Sequence, residues 1–86
     1  MACYNVIIKA SAKKELATLP KPMIVRLIAA IESLATEPRP DGVRKLAGTQ
    51  DMYRVRVSDY RIVYRIEDDM LVIEVVRVAH RKEVYR

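Results

Sequence analysis

Ten arginines stand in this 86-residue chain, and eight of them (Arg44, Arg54, Arg56, Arg61, Arg65, Arg77, Arg81 and Arg86) fall in residues 44–86. Four of the six lysines fall in the first half instead. A guanidinium is a planar fork that matches phosphate or carboxylate bidentately, whereas an ammonium is a hydrated point charge. The formal net charge of +5 therefore hides a segregation, with anion-recognising groups gathered in one half of the chain.

Strand alternation sharpens the grouping. Met52–Val57 and Tyr60–Glu67 are rich in β-formers and separated only by Ser58-Asp59, the pattern of a tight hairpin. Paired residues share a face, so Arg56 should oppose Arg61, Arg54 oppose Val63, and Met52 oppose Arg65. Arg54, Arg56, Arg61 and Arg65 then share one face, and Tyr53, Val55, Val57, Ile62, Tyr64 and Ile66 the other. With Asp68-Asp69 as the next two-residue turn, Val72, Glu74, Val76 and Val78 join the arginines while Leu71, Ile73 and Val75 join the core. A one-residue slip of the third strand would bury Arg61 and Arg65, which argues against it. Like charges directly opposite one another cost stability. The face is then either a solvated one balanced by loop acids or a site that an anion or acidic partner completes. Its valines would let a protein partner dock as well.

Other chemistry is sparse. His80 is the single histidine, so a two-imidazole ribonuclease mechanism is excluded within the chain. No Cys/His spacing suits a metal and no Gly-rich phosphate loop is present, so neither metal nor cofactor is expected. Ser11, Ser33 and Ser58 lack an evident base. Imidazole is the side chain suited to proton transfer near neutrality, so His80 is either a surface residue or a proton carrier. Tyr85 is either a packing residue or a ring on which a base stacks. Were RNA the substrate, attack by an adjacent 2′-OH would need its developing phosphorane charge stabilised, which clustered arginines supply. Arginine is a poor general base, so such an enzyme would depend on charge stabilisation and on something else to align the RNA.

The elements that must position these groups follow from periodicity. Tyr4–Lys9 reads as a strand, and Ser11 caps a short helix to about Thr18 with Ala12, Leu16 and Leu19 inward. Leu19-Pro20-Lys21-Pro22 breaks it. A second helix to about Thr36 repeats Ile24, Leu27, Ile28, Ile31, Leu34 and Ala35, and Glu37–Gly42 is a loop. Three strands follow, Met52–Val57, Tyr60–Glu67 and Leu71–Val78. The expected fold is α+β, β-α-α-β-β-β: a two-helix hairpin packed on one face of a small, mostly antiparallel four-stranded sheet. Residues 1–86 should form a single domain, given its length and the absence of a linker or repeat. A hydrophobic fraction of 51% with two glycines and four prolines excludes disorder. No apolar run could span a bilayer and no leader pattern opens the chain; with one cysteine, Cys3, a cytoplasmic protein without a membrane partner is expected.

Lys45-Leu46-Ala47-Gly48, then Tyr53–Tyr64 (YRVRVSDYRIVY), then Val78–Tyr85 (VAHRKEVY) together resemble the RelE branch of the RelE/ParE toxins, and the helical hairpin fits as well. The resemblance implies a type II toxin that cuts mRNA in the ribosomal A site without metal, inhibiting translation, the ribosome orienting the substrate. By position, Arg54 and Arg56 correspond to the family's two basic residues on the second strand and Arg61 to its phosphate-binding arginine. Arg81 corresponds to the arginine that stabilises charge or protonates the leaving group, and Tyr85 to the terminal tyrosine; His80 would carry a proton. Lys45, Arg65, Arg77 and Lys82 are the further cations expected to hold RNA. The implied partners are a RelB-like antitoxin in a hetero-oligomer, the ribosome and mRNA. The best-known members carry lysines where this chain has Arg54 and Arg56. Alternatives from other classes are a ParE-like toxin that inhibits gyrase, and a noncatalytic binding protein of the same fold.

Overall fold

The computed structural model describes residues 3–80. Strand β1 (Asn5–Ile8) leads into helix α1 (Ala10–Ala17) and helix α2 (Lys21–Ser33). Strands β2 (Arg44–Lys45), β3 (Met52–Val57), β4 (Tyr60–Glu67) and β5 (Val72–His80) follow. All five form one sheet in the order β1-β5-β4-β3-β2, in which β1 runs parallel to β5 and the other pairs are antiparallel. The sequence leads to four strands. The fifth, β2, is two residues long, too short to carry an alternation, and exists because Arg44 and Lys45 pair with Arg54 and Tyr53.

The helices start and stop where local chemistry dictates. Ser11 is not the cap of α1; Lys9 occupies that position in extended conformation, without a side-chain bond. At the other end the Thr18 hydroxyl donates to the Glu15 carbonyl at 2.8 Å, and Leu19-Pro20 prevents continuation. Pro20 then precedes α2, and Pro22 sits in its first turn, where a missing N–H costs nothing. Ala12, Leu16, Leu27, Ile31 and Leu34 are buried against Ile62, Tyr64, Ile66, Ile73, Val75 and Val78. The core therefore lies between both helices and one face of the sheet.

The β3–β4 ladder has the expected register, from Met52 opposite Arg65 to Val57 opposite Tyr60. Its two-residue turn places Ser58 in the left-handed region (φ 57°). The Arg56 Nε donates to the Ser58 carbonyl at 3.0 Å and ties the turn down. The β4–β5 connection is longer than Asp68-Asp69. A turn of 3-10 helix over Asp68–Met70 and a left-handed Leu71 (φ 53°) precede the first pair, Glu67 opposite Val72. Relative to the two-residue turn the register moves by two residues, so parity survives: Ile73 and Val75 still face the core and Glu74 still faces the arginines. Leu71 itself is 40% exposed in the turn.

Parity is then broken once. The register of β5 shifts between its pairs with Val63 and Tyr64, so that Val75 opposes Tyr64 and Arg77 opposes Val63, leaving Val76 as an inserted residue. Such a bulge reverses which side every later residue faces. Val78, expected among the arginines, is consequently buried in the core opposite Ile62.

A polar clasp binds the loop before β2 to the far end of the sheet. Arg39 donates to Asp68 at 2.9 Å, and its guanidinium carbon lies 5.2 Å from the Tyr53 ring centroid. The Tyr4 hydroxyl donates to Asp68 at 2.6 Å, and the Tyr64 hydroxyl to the Pro38 carbonyl at 2.8 Å. Hydrogen bonds from Arg39 and then Tyr4 hold the Asp68 carboxyl below its ordinary value of 3.8. A carboxylate depressed by folding stabilises the fold above its unfolded value and ceases to do so as pH falls through its folded one. Asp68→Asn should therefore lower the melting temperature at pH 7, and the gap to the parent should close below pH about 4 in thermal melts followed by circular dichroism. Burial pushes the Tyr64 phenol up to about 12. Its proton is kept in the folded chain and lost from the unfolded one, so stability should fall as pH rises from the ordinary value of 10.0. Tyr64→Phe should flatten that alkaline decline in urea titrations, at the cost of its hydrogen bond near neutrality.

Candidate nucleic-acid interface

The face of the sheet that no helix covers is organised by cross-strand rows. Nearest the Ser58-Asp59 turn, Arg56, Arg61 and Ala79 lie side by side on β3, β4 and β5. The next row runs Arg44, Arg54, Val63 and Arg77 across four strands. Further on, Met52, Arg65 and Glu74 align. Arg65 and Arg77 form ion pairs with acids of neighbouring segments. Arg65 sits 3.3 Å from Glu74 and 3.4 Å from Asp51. Arg77 turns to α1, with its Nη2 3.2 Å from the Glu15 carboxylate.

Arg44, Arg54, Arg56 and Arg61 converge instead with Gly42 on a cleft of about 270 Å³. Arg61 is 7% exposed although it lies on the helix-free face. A long side chain held that closely has already lost its rotamer freedom, so ordering it on a phosphate costs little more. Arg56 is exposed and braced through its Nε on the turn, and Arg54 is half-buried in the next row, beside Arg44. Gly42 takes φ 84°, which a side chain would strain, and with no atom within 4 Å of where a Cβ would stand it leaves the cleft mouth open. Four guanidinia around one small opening present forks of the geometry that phosphate oxygens accept.

The structure thus brings together Arg54, Arg56 and Arg61 of the residues expected to act, and adds Arg44. Arg44 carries no periodic signal because β2 is so short; its charge type was the only hint, and its pairing with Arg54 is what places it. Lys45 pairs with Tyr53 and belongs to the other side of the sheet. The bulge puts His80 opposite Tyr60, with the two rings edge to face at 5.6 Å, on the helix side of β5. There it lines a second cleft, of about 390 Å³, with Lys14, Glu15, Thr18, Leu19, Tyr60, Val78 and Ala79. Arg81, Lys82 and Tyr85 lie outside the described residues. Among the described residues no three His, Cys, Asp or Glu side chains gather as metal ligands, and no helix is long and apolar enough to cross a membrane.

Residues 6–85 match the family model described as the ParE toxin of the type II toxin-antitoxin system parDE. The chain belongs to the RelE/ParE toxin family. Toxin RelG of Mycobacterium tuberculosis is 33% identical over 96% of this chain and 97% of its own length. The RelE–RelB complex of the archaeon Pyrococcus horikoshii superposes with a TM-score of 0.83 at 34% identity, covering 92% of this chain and 96% of that one. The RelBE2 toxin-antitoxin complex of M. tuberculosis also gives 0.83, at 26% identity and 94% coverage of both. Within the family this chain is a RelE-type toxin, and the arginine cleft is the part of that shared fold where its charge is concentrated.

If the cleft holds single-stranded RNA through phosphates, each guanidinium removed should reduce the salt dependence of binding by about 0.7 in log–log slope. Arg44→Ala should do this as clearly as Arg54→Ala in fluorescence-anisotropy titrations of a short oligoribonucleotide across salt concentrations. Lys45→Ala should leave the slope closer to that of the parent.

Proposed function

We infer that the chain is a ribosome-dependent messenger-RNA endonuclease. The observation that carries this is the convergence of Arg44, Arg54, Arg56 and Arg61 on one cleft of a RelE-type fold. In the reaction, the 2′-oxygen of one nucleotide attacks the adjacent phosphorus and loses its proton. The P–O5′ bond breaks, and the departing 5′ oxygen takes up a proton, leaving a 2′,3′-cyclic phosphate and a 5′-hydroxyl. Negative charge grows on the non-bridging oxygens and then on the 5′ oxygen. Arg61, already ordered, binds the scissile phosphate, while Arg54 and Arg56 neutralise the charge that develops. Arginine does not act as a base, so the cleft supplies electrostatic stabilisation and leaves alignment of the 2′-OH to the ribosome. Proton transfer falls to the chain end, for which Arg81 and Tyr85 are the candidates; His80, on the helix side of β5 against Tyr60, faces away from the arginine cleft. The enzyme's surroundings are cytoplasmic, where ribosomes are.

A RelB-like antitoxin is the second partner. The solved relatives include RelE–RelB complexes, and an acidic, partly apolar antitoxin segment suits a sheet face that joins arginines to Val72 and Val76. Inhibition of gyrase is the competing reading, favoured by the parDE description of the matching family model.

Mapping mRNA 5′ ends after induced expression separates the two. The expected result is new ends at codons in translated messages, produced with ribosomes and absent without them. Loss of those ends in Arg61→Ala, by about 100-fold or more in cleavage rate, would match removal of a transition-state cation. Intact mRNA accompanied by DNA damage would overturn the nuclease reading in favour of gyrase.

A further inference from the structure

The end of β5 is held by a residue outside the arginine cleft. Strand β1 accompanies β5 only from Val72 to Val75, and its last bond there is the Lys9 N–H to the Val75 carbonyl at 2.9 Å. The chain then turns into α1, so among the described residues Val76–His80 has β4 on one side and no strand on the other. An unpaired backbone donor at a buried position is costly, and Val78 is only 3% exposed. Glu15 meets this need from α1. Its Oε1 accepts the Val78 N–H at 2.9 Å, and its Oε2 accepts from Arg77 Nη2 at 3.2 Å and Nε at 3.3 Å. One half-buried carboxylate thus grips two successive residues just past the bulge.

Of the two residues that follow, Ala79 lies opposite Arg61 on the arginine side of the sheet and His80 opposite Tyr60 on the helix side. A shift of this strand end would move the backbone with which Arg61 pairs.

We propose that Glu15 is a positioning residue for RNA cleavage: by accepting the Val78 N–H it fixes the end of β5, and through the Ala79 pairing it fixes Arg61. This rests on the nuclease reading. The required chemistry is acceptance of an amide proton, so a neutral side chain of the same length should serve nearly as well as the carboxylate. A role limited to pairing the Arg77 charge would not have that property.

The test is single-turnover cleavage of mRNA programmed on purified ribosomes, with the full chain and its Glu15→Ala, Glu15→Asp and Glu15→Gln variants. Displacement of a reacting group by about 1 Å costs up to about 100-fold, so Glu15→Ala should slow cleavage by roughly 10- to 100-fold. The ribosome concentration giving half-maximal rate should stay within about 2-fold of the parent, because ribosome contacts are untouched. Glu15→Gln should recover the rate to within about 3-fold, since it keeps the acceptor. Should Glu15→Ala fail to fold, Glu15→Asp carries the test, as it keeps the charge and withdraws the acceptor by one methylene. Equal loss in Glu15→Gln and Glu15→Ala, or parental rates in folded Glu15→Ala or Glu15→Asp, would overturn the proposal.

If the parent itself leaves ribosome-bound mRNA intact, the nuclease reading fails separately, and amide exchange decides the positional half. Val78 should then exchange at least about tenfold faster in Glu15→Ala, with shifted Tyr60 and His80 ring resonances. Unchanged exchange and shifts would overturn it.

Discussion

Register parity in a six-pair ladder is the constraint on which this toxin's structure depends. The ladder joins β3 and β4 from Met52–Arg65 to Val57–Tyr60 and is closed by a turn of only two residues. Because side chains alternate, that closure determines at once which six residues meet the helices and which arginines meet each other. Its cost is a direct Arg56–Arg61 opposition and a left-handed Ser58, and burial of the opposite face outweighs both. Ile62, Tyr64 and Ile66 are each 3% exposed or less, beneath Leu27, Ile31 and Leu34. The charge cluster is thus held together by the apolar packing directly behind it.

Asp51 and Glu74 take Arg65 and Glu15 takes Arg77. Arg44, Arg54, Arg56 and Arg61 border the cleft. The clasp's acid, Asp68, lies beyond the other end of β4 and is matched there by Arg39. The guanidinia of the cleft gather at the opposite end of the sheet, near the Ser58-Asp59 turn.

The bulge in β5 separates two functions that a regular strand would merge. Before it, Glu74 faces the arginines; after it, Val78 enters the core and His80 meets Tyr60 on the helix side. The arginine cleft and the cleft lined by His80 therefore lie on the two sides of one sheet end, joined through Ala79 and His80. Where β1 stops short, a carboxylate from α1 replaces a neighbouring strand.

Much of this was legible in the residues. Alternation over Met52–Glu67 determined the hairpin, its register and the shared face of Arg54, Arg56 and Arg61, because a slip would have buried charge. Helical spacing from Ile24 to Leu34 determined the covering layer. The family followed from three motifs between Lys45 and Tyr85 together with the helical hairpin before them. Other features had no local cause. Strand β2 forms only because Arg54 and Tyr53 offer it an edge, so Arg44 could not be placed in the cleft beforehand. The bulge at Val76 inserts one residue without any glycine or turn signature, and it moved Val78 and His80 to the side opposite the arginines. Nothing in the short helix marks Glu15; its bond to Val78 exists because β5 outruns β1 beside it. Local sequence encodes what period and charge enforce within a segment; which edge lacks a partner, and which side chain reaches it, is settled only when distant segments share the same space.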